Sequence, residues 1–210
     1  MNNFKILPVT AADAEELLEI YRPYITDTAV TFEYDVPSAE EFAGRIRRIS
    51  ARYPYIKLVD ENGIILGYSY ASTFKDRRAY DWSVETTIYL KPDCRHRGLG
   101  GALYLALEDL LRAMGILNMN ACIAVPKGED PYLTMDSIRF HEKLGYAPVG
   151  VFHDSGFKFG RWYDMIWMEK HIGPHGTSVQ SVIPFPDLQL SDVLSEIKTA
   201  VQSHTSSKCI

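Results

Sequence analysis

The sequence predicts an α/β protein of the α+β kind, in which a mixed β-sheet is flanked by helices. Three observations indicate this class: apolar residues at helical spacing alternate with short β-rich runs, a hairpin signal joins two of those runs, and a glycine-rich turn links a strand to the longest amphipathic helix. The chain has 210 residues, of which 46% are hydrophobic, so it can bury a full core. We expect one domain over 1–172 and a docked extension with a short helix over 173–210.

The N-terminal part predicts one strand followed by two helices. A short β-rich run at 4–7 precedes a segment whose apolar residues recur at helical spacing. Ser38 and Glu41 then form a capping-box pattern, which indicates a second helix over roughly 39–52. The intervening residues 29–34 form either a loop or a short strand.

The central part predicts a hairpin, a further strand and a long helix. Runs at 55–59 and 64–71 flank Asn62-Gly63, and both of these residues accept the positive φ that a tight turn needs. Alternating and β-branched residues at 83–90 predict the next strand, and apolar residues from 99 to 114 define a long amphipathic helix.

The C-terminal part closes the domain with strands. Residues 118–125 predict a buried strand, 137–144 a short helix, and 149–153 and 163–169 two closing strands. The extension is rich in Pro, Ser, Thr and His, with one weakly apolar helical stretch at 190–201.

Composition excludes several classes of function. The formal net charge is −5 and no long Lys/Arg block is present, so nucleic acid is not an expected partner. Charged residues interrupt every apolar stretch, and no basic and apolar leader is visible, so we expect a cytoplasmic protein without a membrane segment. The three cysteines are widely spaced, which indicates neither a disulfide framework nor a metal site, and we predict no metal.

The most informative segment lies between the 83–90 strand and the long helix. It consists of Arg95, His96, Arg97, Gly98, Leu99, Gly100 and Gly101. Glycines let the main chain approach a ligand, and the first N–H groups of a helix lack internal partners, so this turn is typical of a phosphate site. Leu103 stands where a dinucleotide-binding fingerprint needs its third glycine, and no Gly-Lys-Ser/Thr follows. The alternative is a helix start whose glycines serve only close packing.

The turn resembles the signature of the GNAT superfamily of N-acetyltransferases, Arg/Gln-x-x-Gly-x-Gly/Ala. Arg95-His96-Arg97-Gly98-Leu99-Gly100 matches it fully. The stretches at 80–90, 140–146 and 156–162 are similar to the phosphinothricin acetyltransferase branch of that family. The resemblance implies a mixed, mostly antiparallel, splayed sheet that holds acetyl-CoA as co-substrate, direct attack by the amine without an acyl-enzyme, and a homodimer.

The resemblance also implies the residues that bind the coenzyme. They are the main chain of Ile88, Tyr89 and Leu90, the turn from Arg95 to Gly101, and Thr134, Ser137 and Lys143. Thr134 stands where relatives usually have Asn, three residues before Ser137 and after a longer loop. The sequence departs from the family pattern at this contact.

Glu85 is the candidate general base. An aliphatic amine with a pKa near ~10 is mostly protonated at neutral pH, so its attack on a thioester needs a base or a water that a base orders. Glu85 lies among apolar and β-branched neighbours, which can raise a carboxyl pKa toward a useful value. The alternative is an outward strand residue paired with an arginine.

His141 is a second catalytic candidate. It takes the place where many relatives carry a Tyr near the coenzyme sulfur, and an imidazole can stabilise or protonate a departing thiolate. The alternative is a packed helix histidine beside Phe140 and Leu144.

Two further segments are candidates for the acceptor. Cationic side chains there can anchor a carboxylate or a phosphinate. We expect Arg161-Trp162 to lie in a loop over the same cleft, and the alternative is a solvated basic loop in which Arg161 pairs with acidic neighbours. The candidate acceptor residues are Phe74, Lys75, Asp76, Arg77, Glu85, Thr86, Thr87, Arg161 and Trp162.

The sequence thus predicts an acetyl-CoA-dependent N-acetyltransferase that acts on the primary amine of a small amino-acid-like substrate, of the phosphinothricin or methionine sulfoximine type. Two alternatives stay open. One is a protein or peptide N-terminal acetyltransferase, and the other is a non-catalytic domain that senses acetyl-CoA.

Overall fold

One sheet of seven strands forms the centre of the molecule and carries four α-helices in the part of the chain described here. A computed structural model describes residues 4–188. The strands are β1 (Lys5–Pro8), β2 (Tyr55–Val59), β3 (Ile65–Thr73), β4 (Ser83–Leu90), β5 (Asn118–Val125), β6 (Ala147–Lys158) and β7 (Arg161–His171). The helices are α1 (Ala14–Thr26), α2 (Ala39–Ser50), α3 (Leu99–Met114) and α4 (Asp136–Lys143).

The sheet is mixed but mostly antiparallel. Its strand order is β1-β2-β3-β4-β5-β7-β6, and the only parallel neighbours within residues 4–188 are β4 and β5. The connection between these two strands is α3, because parallel neighbours need a long crossover. The predicted α+β class and mixed, mostly antiparallel sheet are confirmed.

Helices cover the two faces of the sheet and bury two main apolar clusters. On one face α3 inserts Leu103, Leu107 and Leu110, which are fully buried. Each such side chain contributes roughly 1.5–3 kcal/mol by leaving water. On the other face α1 and α2 pack over β2 and β3 around a second cluster. The α2 start is capped as predicted, since the Glu41 N–H donates to the Ser38 hydroxyl at 3.1 Å.

The predicted hairpin between β2 and β3 is present, and Gly63 adopts a φ of +84° in its turn. The closing strands extend further than predicted. Phe159 and Gly160 both have positive φ, so they form a tight turn after which Arg161 and Trp162 already pair with β6. The expectation of a loop at Arg161-Trp162 is therefore wrong. Residues 29–34 form no strand.

Residues 173–188, which we call the C-terminal strap, lie against the domain. The Ile183 N–H donates to the Met114 carbonyl and the Phe185 N–H to the Arg52 carbonyl, each at 2.9 Å. The Phe185 side chain is only 7% exposed and belongs to the α3 cluster. The helix expected at 190–201 lies outside the described residues.

Candidate active site

The strands β4 and β5 separate in the middle of the sheet. They pair only from Ser83 to Glu85 and from Asn118 to Asn120, although β4 extends to Leu90 and β5 to Val125. Beyond Glu85 the main chain of β4 therefore lacks a neighbouring strand on that side. A gap of this kind can accept a ligand that hydrogen-bonds like a strand.

The direction of the β4 main chain decides which groups face this gap. The Lys91 N–H donates to the Leu66 carbonyl of β3 at 2.9 Å. Because bonding direction alternates along an antiparallel strand, Tyr89 also bonds toward β3, whereas Ile88 and Leu90 direct their N–H and C=O groups away from it. Among the three predicted main-chain contacts, the geometry thus favours Ile88 and Leu90 over Tyr89.

The groups of Leu90 already have a partner from α1. The Tyr24 hydroxyl donates to the Leu90 carbonyl at 2.6 Å and lies 3.3 Å from the Leu90 nitrogen. The guanidinium of Arg95 lies 4.8 Å from the centre of the same Tyr24 ring. A ligand that uses the end of β4 therefore meets Tyr24.

The predicted phosphate turn lies at the open end of the gap and leads into α3. Gly98 precedes the helix with a φ of +79°, which a residue with a side chain adopts at a cost. The first bond that closes the helix runs from the Ala102 N–H to the Gly98 carbonyl at 3.2 Å. The N–H groups of Leu99, Gly100 and Gly101 come before it and have no partner within the helix. The start of α3 can thus receive an anion.

The glycines of the turn have two different roles. A Cβ at Gly98 or Gly101 would meet no atom within 4 Å, so these positions face open space. A Cβ at Gly100 would lie 3.2 Å from the side chains of Leu90 and Phe140. Gly100 therefore serves close packing, and the other two allow a ligand to approach the main chain. The side chains of Arg95, His96 and Arg97 are exposed around the turn.

Glu85 lies where β4 and β5 separate, and its side chain is half-buried. Burial raises the pKa of the Glu85 carboxyl, and the nearby Lys75 ammonium lowers it by a smaller amount. No arginine within residues 4–188 forms an ion pair with Glu85. The alternative of an outward strand residue paired with an arginine is therefore not what the structure shows. The position combines a raised pKa with access to the gap, as a general base requires.

Lys75 approaches Glu85 from the acceptor loop, which we define as residues 74–82 between β3 and β4. Its ammonium lies 5.1 Å from the Phe74 ring centre and 5.6 Å from that of Trp167. The two rings meet edge to face at 5.5 Å. Cation–π contacts hold Lys75 beside the gap and leave its N–H groups able to bind an anion.

His141 is 3% exposed and both of its ring nitrogens have partners. Nδ1 lies 2.7 Å from the Ser137 carbonyl, so this nitrogen carries the proton. Nε2 lies 3.1 Å from the Tyr104 hydroxyl. Burial lowers the pKa of His141, which keeps the imidazole neutral. This is the geometry of the packed alternative, and it leaves no ring nitrogen for a direct contact.

The Tyr104 hydroxyl extends this buried contact toward β4. Its oxygen lies 2.9 Å from the Thr86 hydroxyl oxygen, and the Tyr146 hydroxyl lies 3.1 Å from the same Thr86 oxygen. Thr86 also donates to the Asn120 carbonyl of β5 at 3.1 Å. This network fixes the point at which the two strands begin to separate. It also places the predicted acceptor residue Thr86 on the α3 face, whereas Thr87 faces the other way.

The remaining coenzyme candidates lie on or beside α4. The Thr134 hydroxyl accepts from the Asp136 N–H at 3.3 Å, while Lys143 is exposed at the other end of the helix. Phe140 brings α4 against the start of α3, because its ring contacts the Gly100 position. Ser137 and Lys143 are thus on the helix next to the phosphate turn, and Thr134 lies just before it.

Arg161 and Trp162 do not join Glu85. Arg161 forms an ion pair with Asp130 at 3.1 Å and lies 5.9 Å from the Tyr132 ring centre, as the structural alternative expects. Trp162 is 56% exposed and packs on Phe157. Alternation along β7 directs Trp162 to the face opposite Trp167. Asp76 and Arg77 are exposed in the acceptor loop.

Sequence reasoning missed four side chains of this site: Tyr24, Tyr104, Cys122 and Trp167. Cys122 lies near Glu85, whose charge adds to burial in raising the thiol pKa to about 12. For Cys122 and Trp167, which are partners in the β5–β7 register, the alternation of side chains along each strand is the only feature of the sequence that indicates which face of the sheet they lie on. Tyr24 and Tyr104 lie on helices at core spacing, which gives no signal of a polar contact.

Two kinds of feature are not found between Phe4 and Leu188. In this range no group of three or more His, Cys, Asp and Glu side chains is arranged to hold a metal ion. Nor does any helix there have the length and apolar character needed to cross a bilayer.

The gap between β4 and β5, with a phosphate turn at its mouth, defines the class of protein. Residues 6–167 match the family model of the acetyltransferase (GNAT) domain, which spans more than half of the chain. The chain therefore belongs to the GNAT acetyltransferase family, and the resemblance stated from the sequence is confirmed.

Individual relatives define the branch of the family. The phosphinothricin N-acetyltransferase of Streptomyces viridochromogenes is 35% identical over 77% of this chain and 84% of its own length. The L-methionine sulfoximine/L-methionine sulfone acetyltransferase of Pseudomonas aeruginosa is 32% identical over 78% of this chain and 91% of its own length. A crystal structure of a phosphinothricin acetyltransferase from Sinorhizobium meliloti in complex with AcCoA superimposes with a TM-score of 0.76 at 35% identity, over 88% of this chain and 96% of that one. This chain is an N-acetyltransferase similar to the phosphinothricin acetyltransferases.

Proposed function

We propose that this enzyme transfers the acetyl group of acetyl-CoA to the primary amine of a small amino-acid-like acceptor, by direct attack of the amine. One observation carries the proposal: Glu85, with a raised pKa, lies where β4 leaves β5 and exposes its main chain. The names of the Streptomyces and Pseudomonas relatives support acceptors of the phosphinothricin or methionine sulfoximine type.

The chain offers groups that fit the two ends of the coenzyme. The pyrophosphate fits the start of α3, where the N–H groups of Leu99, Gly100 and Gly101 have no partner within the helix, and exposed Arg95 and Arg97 add positive charge. The amide-containing arm fits the gap, where Ile88 presents strand-like donor and acceptor groups. When the amide-containing arm of the coenzyme reaches Leu90, the Tyr24 hydroxyl either moves away or shares its hydrogen bond with the Leu90 carbonyl.

Glu85 accepts the proton that the amine loses. Its raised pKa makes the carboxylate a stronger base than an exposed one. The Ile88 N–H is placed to donate to the thioester oxygen as negative charge develops on it. The thioester supplies the acetyl group and a thiolate leaving group.

Lys75 binds the acidic group of the acceptor. The ammonium is held by Phe74 and Trp167 near Glu85, so a carboxylate or phosphinate on Lys75 places the neighbouring amine toward the base. The aromatic walls also suit the methylene groups of an amino-acid side chain.

His141 acts through Tyr104 in this proposal. Because its nitrogens bond to Ser137 and Tyr104, it fixes the tyrosine hydroxyl that holds Thr86. We assign it to positioning of β4, in place of the direct contact with the sulfur that the family resemblance implies.

A homodimer in the cytoplasm completes the proposal. Strand β6 is at the edge of the sheet, and its side chains Val149 and Phe152 are 61% and 60% exposed. An edge strand with this much exposed apolar surface suits a contact with a second copy. Light scattering on the purified protein should give twice the 23.8 kDa chain mass, and a monomer at micromolar concentration would contradict it.

The experiment that tests the function follows thiol release from acetyl-CoA over a panel of amines. Phosphinothricin, methionine sulfoximine and methionine sulfone should be the fastest acceptors, ahead of polyamines and of peptides with a free N-terminus. Turnover of peptides alone would contradict the small acceptor, and acetyl-CoA binding without any turnover would contradict the enzyme.

A further inference from the structure

The C-terminal strap lies beyond residue 167, where the matched family model ends, and it contacts the base of the acceptor loop. The indole N–H of Trp82 donates to the Gln180 carbonyl at 2.7 Å. Trp82 is the last residue of the loop and directly precedes β4. The strap therefore touches the residue from which the catalytic strand begins.

A second contact reaches the loop through Arg52, which follows the end of α2. The Phe185 N–H donates to the Arg52 carbonyl, and the Arg52 guanidinium forms an ion pair with Asp81 at 3.1 Å. Two adjacent loop residues, Asp81 and Trp82, are thus held from two points of the strap. The buried Phe185 ring anchors the strap between these points and the α3 cluster.

The other end of the loop carries the acceptor side chains. The Tyr80 ring meets the Phe74 ring edge on at 6.0 Å, and Phe74 in turn contacts Trp167 and Lys75. The strap is therefore linked to the side chains around Glu85 through Trp82 and Asp81, then along the main chain to the adjacent Tyr80 and through its ring contact with Phe74. The Trp82 carbonyl also accepts from the Leu117 N–H at 2.9 Å, which ties the same residue to the start of β5.

From these contacts we infer that the strap is a positioning element for the acceptor loop, and that Trp82 and Phe185 set the affinity for the acceptor without touching it. This inference rests on the proposed function, because it assigns the acceptor to Lys75. Among residues 4–188, the hydrogen bonds of the strap to the rest of the domain reach Trp82, Arg52 and the far end of α3 at Met114, and none reaches the phosphate turn. The strap thus acts on one substrate and not on the other.

Two substitutions in the full chain test this. Trp82→Phe keeps an aromatic ring but removes the donor to Gln180, while Phe185→Ala releases the strap itself. Glu19→Gln is the control, since it breaks an exposed ion pair of α1 with Arg22 that has no contact with the loop. Amide hydrogen exchange of residues 74–82 and the KM values for acceptor and acetyl-CoA are measured for each.

We expect both test variants to speed exchange in the acceptor loop several-fold and to raise the acceptor KM about three- to tenfold, with the acetyl-CoA KM within about twofold of the parent. The control should change neither. Unchanged exchange in the loop, or an equal rise of both KM values, would overturn the inference. If Phe185→Ala does not fold, Trp82→Phe decides alone. An unmodified enzyme that turns over no amine would refute the proposed function, and loop exchange would still test the strap.

Discussion

The two sides of the site are built in different ways. The coenzyme side centres on one continuous segment, from Ile88 through the turn to Gly101, whose main-chain groups are oriented by secondary structure. The acceptor side brings together Lys75 and Glu85, from the acceptor loop and the strand that follows it, with Trp167 from a distant strand that the sheet topology makes their neighbour. The main-chain groups of the coenzyme side can therefore stay the same while the side chains of the acceptor side change. Acceptor specificity can therefore vary on a constant coenzyme site.

The largest expected effect concerns the residue between the two sides. Glu85→Gln keeps the size of the side chain but cannot accept a proton, so kcat/KM should fall about 10²–10⁴-fold. Because the decline of kcat/KM at low pH reports protonation of Glu85, this decline should be absent from the variant. Glu61→Gln, in the exposed β2–β3 turn, should leave both the rate and its pH profile as they are. A parent-like pH profile in Glu85→Gln would remove Glu85 as the base.

A smaller effect is expected on the coenzyme side. Gly98→Ala places a Cβ at a φ of +79°, at a cost of about 1–2 kcal/mol in the turn. The acetyl-CoA KM should rise about tenfold while the acceptor KM stays constant. Gly63→Ala, at a φ of +84° in a remote hairpin, is the matched control and should lower the melting temperature only. If both variants raised the acetyl-CoA KM equally, the turn would have no special role.

The acceptor side should respond in the pH profile. The Lys75 ammonium lowers the pKa of Glu85, so Lys75→Met should raise that pKa further and move the acid limb of kcat/KM to higher pH. The acceptor KM should also rise several-fold. Lys75→Arg keeps the positive charge and the ring contacts, so the acid limb of its kcat/KM profile should stay at the pH of the parent enzyme. A limb that moves to lower pH in Lys75→Met contradicts the assignment.

The smallest effect concerns stability and the buried His141. Its pKa is lower in the folded protein than in the unfolded chain, so the unfolded chain takes up its proton first as pH falls. The contribution of the neutral His141 to the free energy of unfolding is therefore fully present above the pKa of histidine in the unfolded chain, about 6.5, and declines below that pH. His141→Gln should therefore lose less stability than the parent between pH 7.5 and pH 5.5 in urea unfolding. His171→Gln, an exposed control, should behave like the parent.

The coenzyme side could be predicted from the sequence because its signals are local. The glycines after Arg97 and the apolar spacing of α3 mark the turn and its helix without knowledge of the rest of the fold. What the sequence did not show is which β4 residues face the gap. That depends on the register with β3, which pairs Tyr89 with Tyr68.

The acceptor side could be predicted only in part. Glu85 and the acceptor loop stood out from the sequence, but Trp167 did not, because its contact with Phe74 depends on the order β4-β5-β7 in the sheet. The expected loop at Arg161-Trp162 was wrong because Phe159 takes a positive φ, which a residue with a side chain seldom does.

The most direct test of the account is a crystal structure of the enzyme with acetyl-CoA and methionine sulfoximine. We expect the pyrophosphate on the N–H groups that begin α3, the thioester between β4 and β5, and the acceptor amine within hydrogen-bonding distance of the Glu85 carboxylate. A coenzyme bound elsewhere, or an acceptor amine far from Glu85, would contradict the central claim.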